Sequence, residues 1–265
     1  MQVAPGTRAF VTGASRGIGR ALAGALAARG ATLGLAARST DELAALAAEL
    51  PGEHHVLECD VADAASTQAA IDGFAQRAGG LELLVANAGI THYGPFRDQP
   101  LDKAVQMSQV NWHGTLHTVH FGLPHLLNAG RGHIVVVSSG AGLRSFPQAA
   151  VYGATKAAQR MFAEALRHEL ADTGVSLTTV YPGEIATSLH DHEKDRMPAW
   201  YRGGPQAAPA AGLAEKIVAG IEADERAVYH PPLVRALGIA HGLSPKAGDA
   251  LLRRLRGDSA APRRG

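Results

Sequence analysis

Short apolar runs alternate with amphipathic helical segments along most of the chain, and this alternation constrains the fold more than any other feature. Strands are predicted at Ala9–Val11, Thr32–Ala36, His55–Glu58, Leu83–Ala86, His133–Val137 and Ser176–Val180. Helices are predicted at Arg20–Ala28, Asp41–Leu50, Ala64–Arg77, Leu101–Leu127, Tyr152–Asp172 and Leu213–Ala223. Strands separated by helices run parallel through right-handed crossovers. The sequence therefore predicts an α/β fold, a parallel sheet with helices on both faces.

The size and composition of the chain fit one globular domain. Its 265 residues are 46% hydrophobic and 18% charged, which suits a large core and argues against a disordered chain. The only break in composition is the Gly/Pro/Ala-rich stretch at 203–212. We interpret it as part of a loop within a single domain that covers residues 1–265. The loop is expected at about 187–210, and a basic C-terminal extension at about 231–265.

Charge and cysteine content argue against several classes of protein. The 25 Lys and Arg nearly balance the 24 Asp and Glu, so no global field attracts nucleic acid or a membrane. Cys59 is the single cysteine, which excludes an internal disulfide and a stapled secreted scaffold. The first ten residues lack a signal-peptide pattern, and the long uncharged stretch at 104–130 is too polar for a membrane span. A cytoplasmic protein is expected.

A glycine-rich turn, Thr12–Gly19, follows the first predicted strand. Its glycines allow a tight turn and close approach to a pyrophosphate, while the next helix directs free N–H groups at the anion. The spacing G-x-x-x-G-x-G differs from the common fingerprint G-x-G-x-x-G, and such turns also occur where only room is needed. The position of the turn after the first strand of a βαβ pattern favours phosphate binding.

Arg38 follows the second predicted strand. A carboxylate at this place accepts a hydrogen bond from the ribose 2′-hydroxyl of NAD, whereas an arginine suits the 2′-phosphate of NADP. Arg16 and Arg38 are predicted to hold that phosphate together, which favours NADP. Two alternatives stay open. In the first, both arginines are merely solvated residues at helix starts. In the second, Asp41 or Glu42 binds the ribose hydroxyl as in NAD sites, although both acids also suit the positive end of a helix dipole.

Tyr152 and Lys156 lie four residues apart, which places them on one face of a predicted helix. A neighbouring ammonium favours the phenolate and lowers the pKa of a tyrosine, making it a usable proton donor and acceptor. The same pattern also occurs as an ordinary surface pair. Here Ser139 lies thirteen residues earlier, just after a predicted strand. Ser138 and Ser139 point to opposite sides of an extended backbone, so only one can face a substrate.

With these motifs the chain resembles the short-chain dehydrogenase/reductase family. The matching elements lie in family order over roughly residues 5–190: Thr12–Gly19, Asp60-Val61, Asn87-Ala88-Gly89, Asn111, Ser139, Tyr152 with Lys156, and Pro182-Gly183 through Thr187. The sequence departs slightly, with Val85-Ala86 before Asn87 where a second Asn is frequent. The resemblance implies a single doubly wound Rossmann-type domain and an NADP-dependent enzyme that interconverts a ketone and a secondary alcohol.

The resemblance also implies roles for individual residues. Tyr152 would exchange a proton with the substrate oxygen, and Lys156 would lower its pKa and bind the nicotinamide ribose. Ser139 would polarise the carbonyl, and Asn111 would position a water that links Lys156 to solvent. The cofactor is expected to contact Gly13, Ser15, Arg16, Gly17, Ile18, Gly19, Arg38, Asp60, Val61, Asn87, Gly89, Tyr152, Lys156, Pro182, Gly183, Ile185 and Thr187.

The substrate is less closely defined by the sequence. The loop at 187–210 and the segment 144–150 are expected to shape its pocket, with four aromatic candidates, Tyr93, Phe146, Trp200 and Tyr201. These residues favour a hydrophobic ketone. A 3-oxoacyl thioester reductase and a non-catalytic NADP-binding sensor or scaffold are the alternatives. His190 and His192 in the same loop either touch the substrate or are solvated.

Three histidines, His113, His117 and His120, lie on one helical face without a carboxylate or cysteine nearby in the sequence. We expect them to pack rather than bind a metal, and no metal is predicted. The helices Leu101–Leu127 and Tyr152–Asp172 resemble those through which family members associate. A homo-oligomer, a tetramer or a dimer, is therefore expected.

The last 31 residues carry seven Lys or Arg and two Asp, a local charge of +5 that leaves −4 on the rest. A predicted amphipathic helix, Lys246–Arg256, has an apolar face formed by Ala247, Ala250, Leu251 and Leu255. It is expected to close the fold or form an oligomer contact, and the alternatives are weak contact with an anionic membrane surface or a position that guards a lipid-like substrate. Nucleic-acid binding is not expected, because no aromatic residues lie among its arginines.

Overall fold

A seven-stranded parallel sheet forms the centre of the protein in the computed structural model, which describes residues 1–187, Leu189 and residues 207–256. The strands are β1 Arg8–Thr12, β2 Thr32–Ala37, β3 His55–Glu58, β4 Leu83–Ala86, β5 Gly132–Val137, β6 Val175–Pro182, the short β7 Ile185–Ala186 and β8 Ala208–Pro209, and β9 Ala227–His230. The main sheet has the order β3-β2-β1-β4-β5-β6-β9, and β7 pairs with β8. The predicted doubly wound α/β fold is confirmed.

Helices cover both faces of this sheet. They are α1 Gly17–Ala27, α2 Thr40–Glu49, α3 Ala64–Ala78, α4 Leu101–Met107, α5 Gly114–Asn128, α6 Ala150–Glu169, α7 Ala210–Glu222, α8 Leu233–Leu243 and α9 Pro245–Arg256. None of the described helices combines the length and apolar character that crossing a bilayer requires.

Neighbouring residues in the strands supply two separate cores, because side chains alternate across a sheet. On one face, Val11 and Val85 pack in a cluster with side chains of α1 and α7. On the other face, Phe10 and Leu84 pack in a cluster with side chains of α3, α5 and α6, including Phe74. Both faces are therefore buried, which explains why the central strands read as continuous apolar runs.

The predicted helical segment Leu101–Leu127 is helical throughout, but it contains a π turn that the sequence did not predict. A π-helical segment, Ser108–His113, separates α4 from α5. The π turn contains Asn111, whose carboxamide hydrogen-bonds both main-chain groups of Ile90. Such turns are common at functional sites because the extra residue re-aims a side chain, and apolar periodicity does not reveal them.

The C-terminal part contains elements that the sequence did not predict. Strand β9 is four residues long with only Val228 buried, and it adds the seventh strand beside β6. Helix α8 follows it, and α9 agrees closely with the predicted helix Lys246–Arg256. In α9, Leu252 is buried, whereas Ala247 and Ala250 of the predicted apolar face are exposed.

Candidate active site

A cleft of about 620 Å³ opens at the carboxyl ends of the strands. It includes the residues that follow β1 and β4, where the strand order reverses, and ligands bind at such reversal points in open α/β sheets. Every predicted cofactor-binding residue except Gly19 lines the cleft, and so does Ser139. Leu189 of the predicted substrate loop also lines the cleft, and a further side was not predicted: Ile90, Thr91, His92, Lys103, Gln106, Met107 and Val110.

The glycine-rich turn forms one end of the cleft, and its shape requires glycine at two positions. Gly13 has a φ of +66°, and a Cβ there would lie 2.9 Å from the Cα of Ala88. A Cβ at Gly19 would clash with the carbonyl oxygen of Gly13. Helix α1 begins at Gly17, and the first N–H groups of a helix have no partner within it. The turn thus brings unpaired amides close to the cleft.

Side chains behind the turn hold it in place. The Nδ2 of Asn87 donates to the carbonyl oxygens of Thr12 and Gly13, at 2.8 and 3.3 Å. The Thr12 hydroxyl donates to the Val85 carbonyl oxygen at 3.1 Å and accepts from the Asn87 amide at 3.0 Å. Asn87 thus also supports the turn from behind. Thr12 was not predicted as a site residue, and its position before the first glycine was the only available signal.

The two predicted arginines, Arg16 and Arg38, are both exposed and both line the cleft. Arg38 directly follows β2, and Ser39 lies beside it in the lining. The guanidinium of Arg16 is 3.9 Å from a carboxylate oxygen of Glu42, an exposed pair. Both arginines therefore border one region of the cleft, with Glu42 close enough to weaken the positive potential there.

Tyr152 and Lys156 lie at the other end of the cleft, both on α6 and both almost fully buried. The Lys156 Nζ donates to the carbonyl oxygen of Val137 at 3.0 Å and lies 5.9 Å from the centre of the Tyr152 ring. Tyr93 packs edge-on against the Tyr152 ring at a centroid distance of 5.9 Å. The four-residue helical spacing thus places the Tyr152 phenol and the Lys156 amine close together, with little exposure to solvent.

The pKa values at this end of the cleft are dominated by burial, which disfavours charged forms. Burial raises the pKa of Tyr152 to about 12, against a smaller lowering by its hydrogen bond with Ser139. Burial also lowers the pKa of Lys156 to about 7. Lys156 does not lower the Tyr152 pKa in the absence of cofactor, because with a pKa of about 7 the lysine is uncharged where the phenol titrates. Tyr152 is therefore protonated at neutral pH, and Lys156 titrates there.

The adjacent serines point to opposite sides, as the extended backbone predicts. The Ser138 hydroxyl is buried and donates to the main-chain carbonyl oxygen of Lys156 at 2.8 Å. Ser139 hydrogen-bonds with Tyr152, and its Oγ accepts from the Ala141 amide at 3.1 Å. Ser139 is thus the serine placed beside the phenol, while Ser138 fixes α6 to the sheet.

Asn111 is fully buried and does not line the cleft. Its Oδ1 accepts from the Ile90 amide at 2.8 Å, and its Nδ2 donates to the Ile90 carbonyl oxygen and to the Thr155 hydroxyl. A side chain on Gly89 would meet the Asn111 Oδ1 at 3.3 Å and the Lys156 Nζ at 3.5 Å. Asn111 therefore joins the segment after β4 to α6, directly behind the site.

The segment from Pro182 to Thr187 forms the wall that follows β6. The Gly183 amide donates to the His230 carbonyl oxygen at 2.7 Å, which fixes the wall to β9. Thr187 lies against Gly17, where a Cβ would come within 3.3 Å of the Thr187 Cβ. The two predicted cofactor-binding segments thus meet across the cleft.

Other predicted features have different surroundings. The Nδ1 of His117 is 2.9 Å from the Val61 carbonyl oxygen, so this histidine supports the main chain of the cleft. The described residues contain no group of three or more potential metal ligands. Tyr93 and Phe146 lie next to each other, with ring centroids 6.0 Å apart. Trp200, Tyr201, His190 and His192 lie outside the described residues.

Comparisons with known proteins agree with this geometry. The short chain dehydrogenase family model matches residues 7–198. An uncharacterized oxidoreductase of Myxococcus xanthus is 38% identical over 193 residues, which are 72% of this chain and 76% of that protein. Two solved structures superpose over nearly all of both chains. They are a short-chain dehydrogenase/reductase from Burkholderia phymatum in complex with NAD (TM-score 0.85, 25% identity, 100% of each chain) and a short-chain dehydrogenase from Burkholderia cenocepacia in complex with NADP (TM-score 0.81, 27% identity, 96% of this chain and 99% of that one).

Proposed function

Because the chain belongs to the short-chain dehydrogenase family and is therefore a nicotinamide-dependent oxidoreductase, we propose that it interconverts a ketone and a secondary alcohol with NADP as its cofactor. The observation that carries the proposal is the cluster at one end of the cleft, in which half-buried Ser139 lies beside buried Tyr152 and Lys156. Burying an ionisable amine beside a phenol costs stability, and cofactor binding alone does not require it. The buried pair therefore favours catalysis over a role in binding only.

The cleft fits a dinucleotide on its own geometry. A Cβ at Gly13 or Gly19 would fill the turn, and the free amides of α1 suit a pyrophosphate. Asp60 and Val61 are proposed to contact the adenine, and Gly183, Ile185 and Thr187 the carboxamide. The nicotinamide supplies or accepts the hydride when bound, while the protein orients the reactants and manages the proton.

Tyr152 is proposed as the general acid for reduction. Its raised pKa keeps the phenol protonated at neutral pH, so it has a proton to give to the carbonyl oxygen. Ser139 lies beside the phenol and is proposed to donate a hydrogen bond to that oxygen, where negative charge develops. In the reverse direction the phenol would have to lose its proton first. Lys156, which titrates near neutral pH, is proposed to favour that ionisation once it is charged.

A preference for NADP is supported by Arg16 and Arg38, which line the same part of the cleft. Their guanidinium groups suit a 2′-phosphate through charge-assisted hydrogen bonds. Glu42 is the residue that opposes this preference, because it lies 3.9 Å from Arg16 and a carboxylate suits a ribose hydroxyl. We propose that two arginines outweigh one exposed carboxylate.

We propose a homo-oligomer, a dimer or a tetramer, that associates through α4, α5 and α6. These helices expose large apolar side chains, namely Leu101, Val105, Leu116, Leu127 and Met161. Weak contact with a membrane surface stays an alternative, since Leu252 of α9 packs inward while Ala247 and Ala250 of the same helix are exposed. The single, buried cysteine suits the proposed cytoplasmic location.

A panel of carbonyl compounds, assayed with NADPH and with NADH side by side, tests the function. We expect NADPH oxidation with at least one uncharged hydrophobic ketone, and slower oxidation of NADH. Turnover restricted to 3-oxoacyl thioesters would support the thioester reductase instead. Tight NADPH binding without turnover of any carbonyl compound would contradict the proposal and support the sensor or scaffold.

A further inference from the structure

A second, smaller cavity of about 110 Å³ adjoins the catalytic end of the cleft. Ser139, Pro182 and Gly183 line both spaces, so the cavity opens beside the serine that faces Tyr152. Its other walls are residues that follow β5, the Pro182–Glu184 segment, and the C-terminal helices α8 and α9. The C-terminal extension therefore reaches the reacting end of the molecule.

The lining of this cavity is largely apolar. Its apolar side chains are Ala141, Phe146, Pro182, Pro231, Leu233, Val234, Leu237 and Leu252, and its charged residues are Arg144 and Glu184. An apolar cavity of about 150 Å³ holds a benzene molecule, so this one suits an alkyl group of about four carbon atoms. An uncharged branched alkyl substituent is the group that matches both the size and the walls.

Helix α8 lies very close to the turns that carry the site. A Cβ at Gly183 would come within 2.9 Å of Val234, and a Cβ at Gly140 within 3.1 Å of the same side chain. A Cβ at Gly238 would come within 3.1 Å of Leu143. The small size of these glycines therefore allows α8 to pack directly against the residues that follow Ser139.

Helix α9 is fastened to the same region by an ion pair. The Arg144 guanidinium contacts a carboxylate oxygen of Asp249 at 2.6 Å, across 105 residues of sequence. The Arg144 side chain is 6% exposed, and a second guanidinium nitrogen donates to the Ser145 carbonyl oxygen at 3.1 Å. Because a buried guanidinium needs its partner, loss of Asp249 should free α9 and with it Leu252.

We propose that the cavity binds the branched alkyl substituent of the ketone, and that the Arg144–Asp249 pair positions α9 as its roof. This inference rests on the proposed function for the identity of the ligand. Arg144 and Asp249 are positioning residues, since they act through α9 and Leu252. The basic extension would then serve to select the substrate.

Two matched ketones and four variants test the proposal. Binding of 4-methyl-2-pentanone and of acetone is measured by ligand-detected NMR in the presence of NADP⁺, with which a ketone cannot react. Leu237→Trp fills the cavity, Asp249→Ala breaks the ion pair, and Asp249→Asn keeps an oxygen for Arg144. Lys246→Ala, at an exposed position of the same helix, is the control.

We expect Leu237→Trp and Asp249→Ala each to weaken binding of 4-methyl-2-pentanone about tenfold or more, because lost apolar contacts discriminate on this scale. Acetone binding should change less than about twofold, and Asp249→Asn should show a smaller effect than Asp249→Ala. In turnover assays the KM for 4-methyl-2-pentanone should rise while kcat with acetone and the affinity for NADPH are kept.

Equal losses for both ketones, no loss in Leu237→Trp, or no binding of 4-methyl-2-pentanone to the wild type would overturn the proposal. If Asp249→Ala also loses NADPH binding, its effect on ketone binding reports general disruption of the site. The ketone affinities of Asp249→Asn and Leu237→Trp then test the proposal. Binding that depends on the cavity, without turnover of any carbonyl compound, would leave this inference standing and contradict the proposed function instead.

Discussion

The two ends of the cleft present different chemical groups, main-chain groups at one end and side chains at the other. At the glycine-rich end, between Thr12 and Gly19, the main chain forms the surface and the charged side chains nearby are exposed. At the catalytic end, Ser139, Tyr152 and Lys156 form the surface with side chains, of which Tyr152 and Lys156 are almost fully buried. Substitutions at the first end should act through shape, whereas substitutions at the second should act through proton transfer and desolvation.

At the catalytic end, substitutions of the adjacent Ser138 and Ser139 should separate an effect on catalysis from an effect on stability. We expect Ser139→Ala to lower kcat about 100-fold to 1000-fold, because a donor to the developing oxyanion is lost. Ser138→Ala should leave kcat nearly unchanged and lower the free energy of unfolding by about 1–2 kcal/mol, because a buried hydrogen bond to α6 is lost. Steady-state kinetics and urea unfolding of both variants check this. The reverse pattern would show that Ser138 faces the substrate.

Gly19 and Gly24 form a matched pair on the same helix at the other end. Gly19→Ala should raise the Kd for NADPH about 10-fold to 100-fold, because its Cβ would clash with the Gly13 carbonyl oxygen and distort the turn. Gly24→Ala meets nothing closer than 3.9 Å and should stabilise the helix by about 0.5–1 kcal/mol. Fluorescence titration with NADPH and thermal unfolding measure both. Unchanged NADPH affinity in Gly19→Ala would contradict a backbone-built phosphate site.

Lys156 predicts a pH dependence for both activity and stability. In the reductive direction, kcat/KM should fall about tenfold per pH unit above the Lys156 pKa of about 7, because the charged ammonium stabilises the phenolate that remains after Tyr152 has given up its proton. The folded state lowers the pKa of Lys156 below its ordinary value, so the unfolded chain binds more protons between about pH 7 and 10.5. Stability of the cofactor-free protein should therefore rise with pH in that window.

Lys156→Met checks the origin of both effects. The variant should lose turnover, yet gain a few kcal/mol of stability at pH 7, with a gain that shrinks toward pH 9. Urea unfolding at pH 7, 8 and 9 measures the gain, and Lys216→Met on α7 serves as the control. A gain that is constant across these pH values would show that the folded pKa of Lys156 is not lowered.

The smallest effects are expected for the exposed charges at the glycine-rich end, where water screens them. Arg38→Gln should weaken NADPH binding about tenfold and NADH binding less than about twofold. Glu42→Gln should strengthen NADPH binding by about twofold or less, because it removes an exposed partner of Arg16. Titrations of both variants with NADPH and with NADH, at two salt concentrations, measure these changes in Kd. Equal losses for both cofactors in Arg38→Gln would refute a 2′-phosphate role.

Features of the fold and site that depend on local sequence could be predicted, whereas features that depend on tertiary packing could not. The central strands and the turn between Thr12 and Gly19 could be predicted because buried parallel strands are continuous apolar runs and tight turns need glycine. The positions of Ser139 and Tyr152 could be predicted from family spacing. The π turn at Asn111 could not, because it depends on backbone hydrogen-bond register. The Arg144–Asp249 pair could not, because it joins residues 105 apart through tertiary packing alone.

The pKa values show the same limit. The spacing of Tyr152 and Lys156 places an ammonium near a phenol and predicts a lowered tyrosine pKa. The structure instead buries both groups, and this burial raises the pKa of Tyr152 and lowers the pKa of Lys156. Sequence spacing therefore identifies the pair of residues, and burial decides their protonation states.

Tyr152→Phe tests the central claim most directly, because it removes one oxygen atom and keeps the ring that packs against Tyr93. The account predicts that ketone reduction by NADPH falls about 100-fold to 10,000-fold, while the Kd for NADPH and the unfolding temperature stay close to the wild-type values. Turnover at the wild-type rate in this variant would contradict the account.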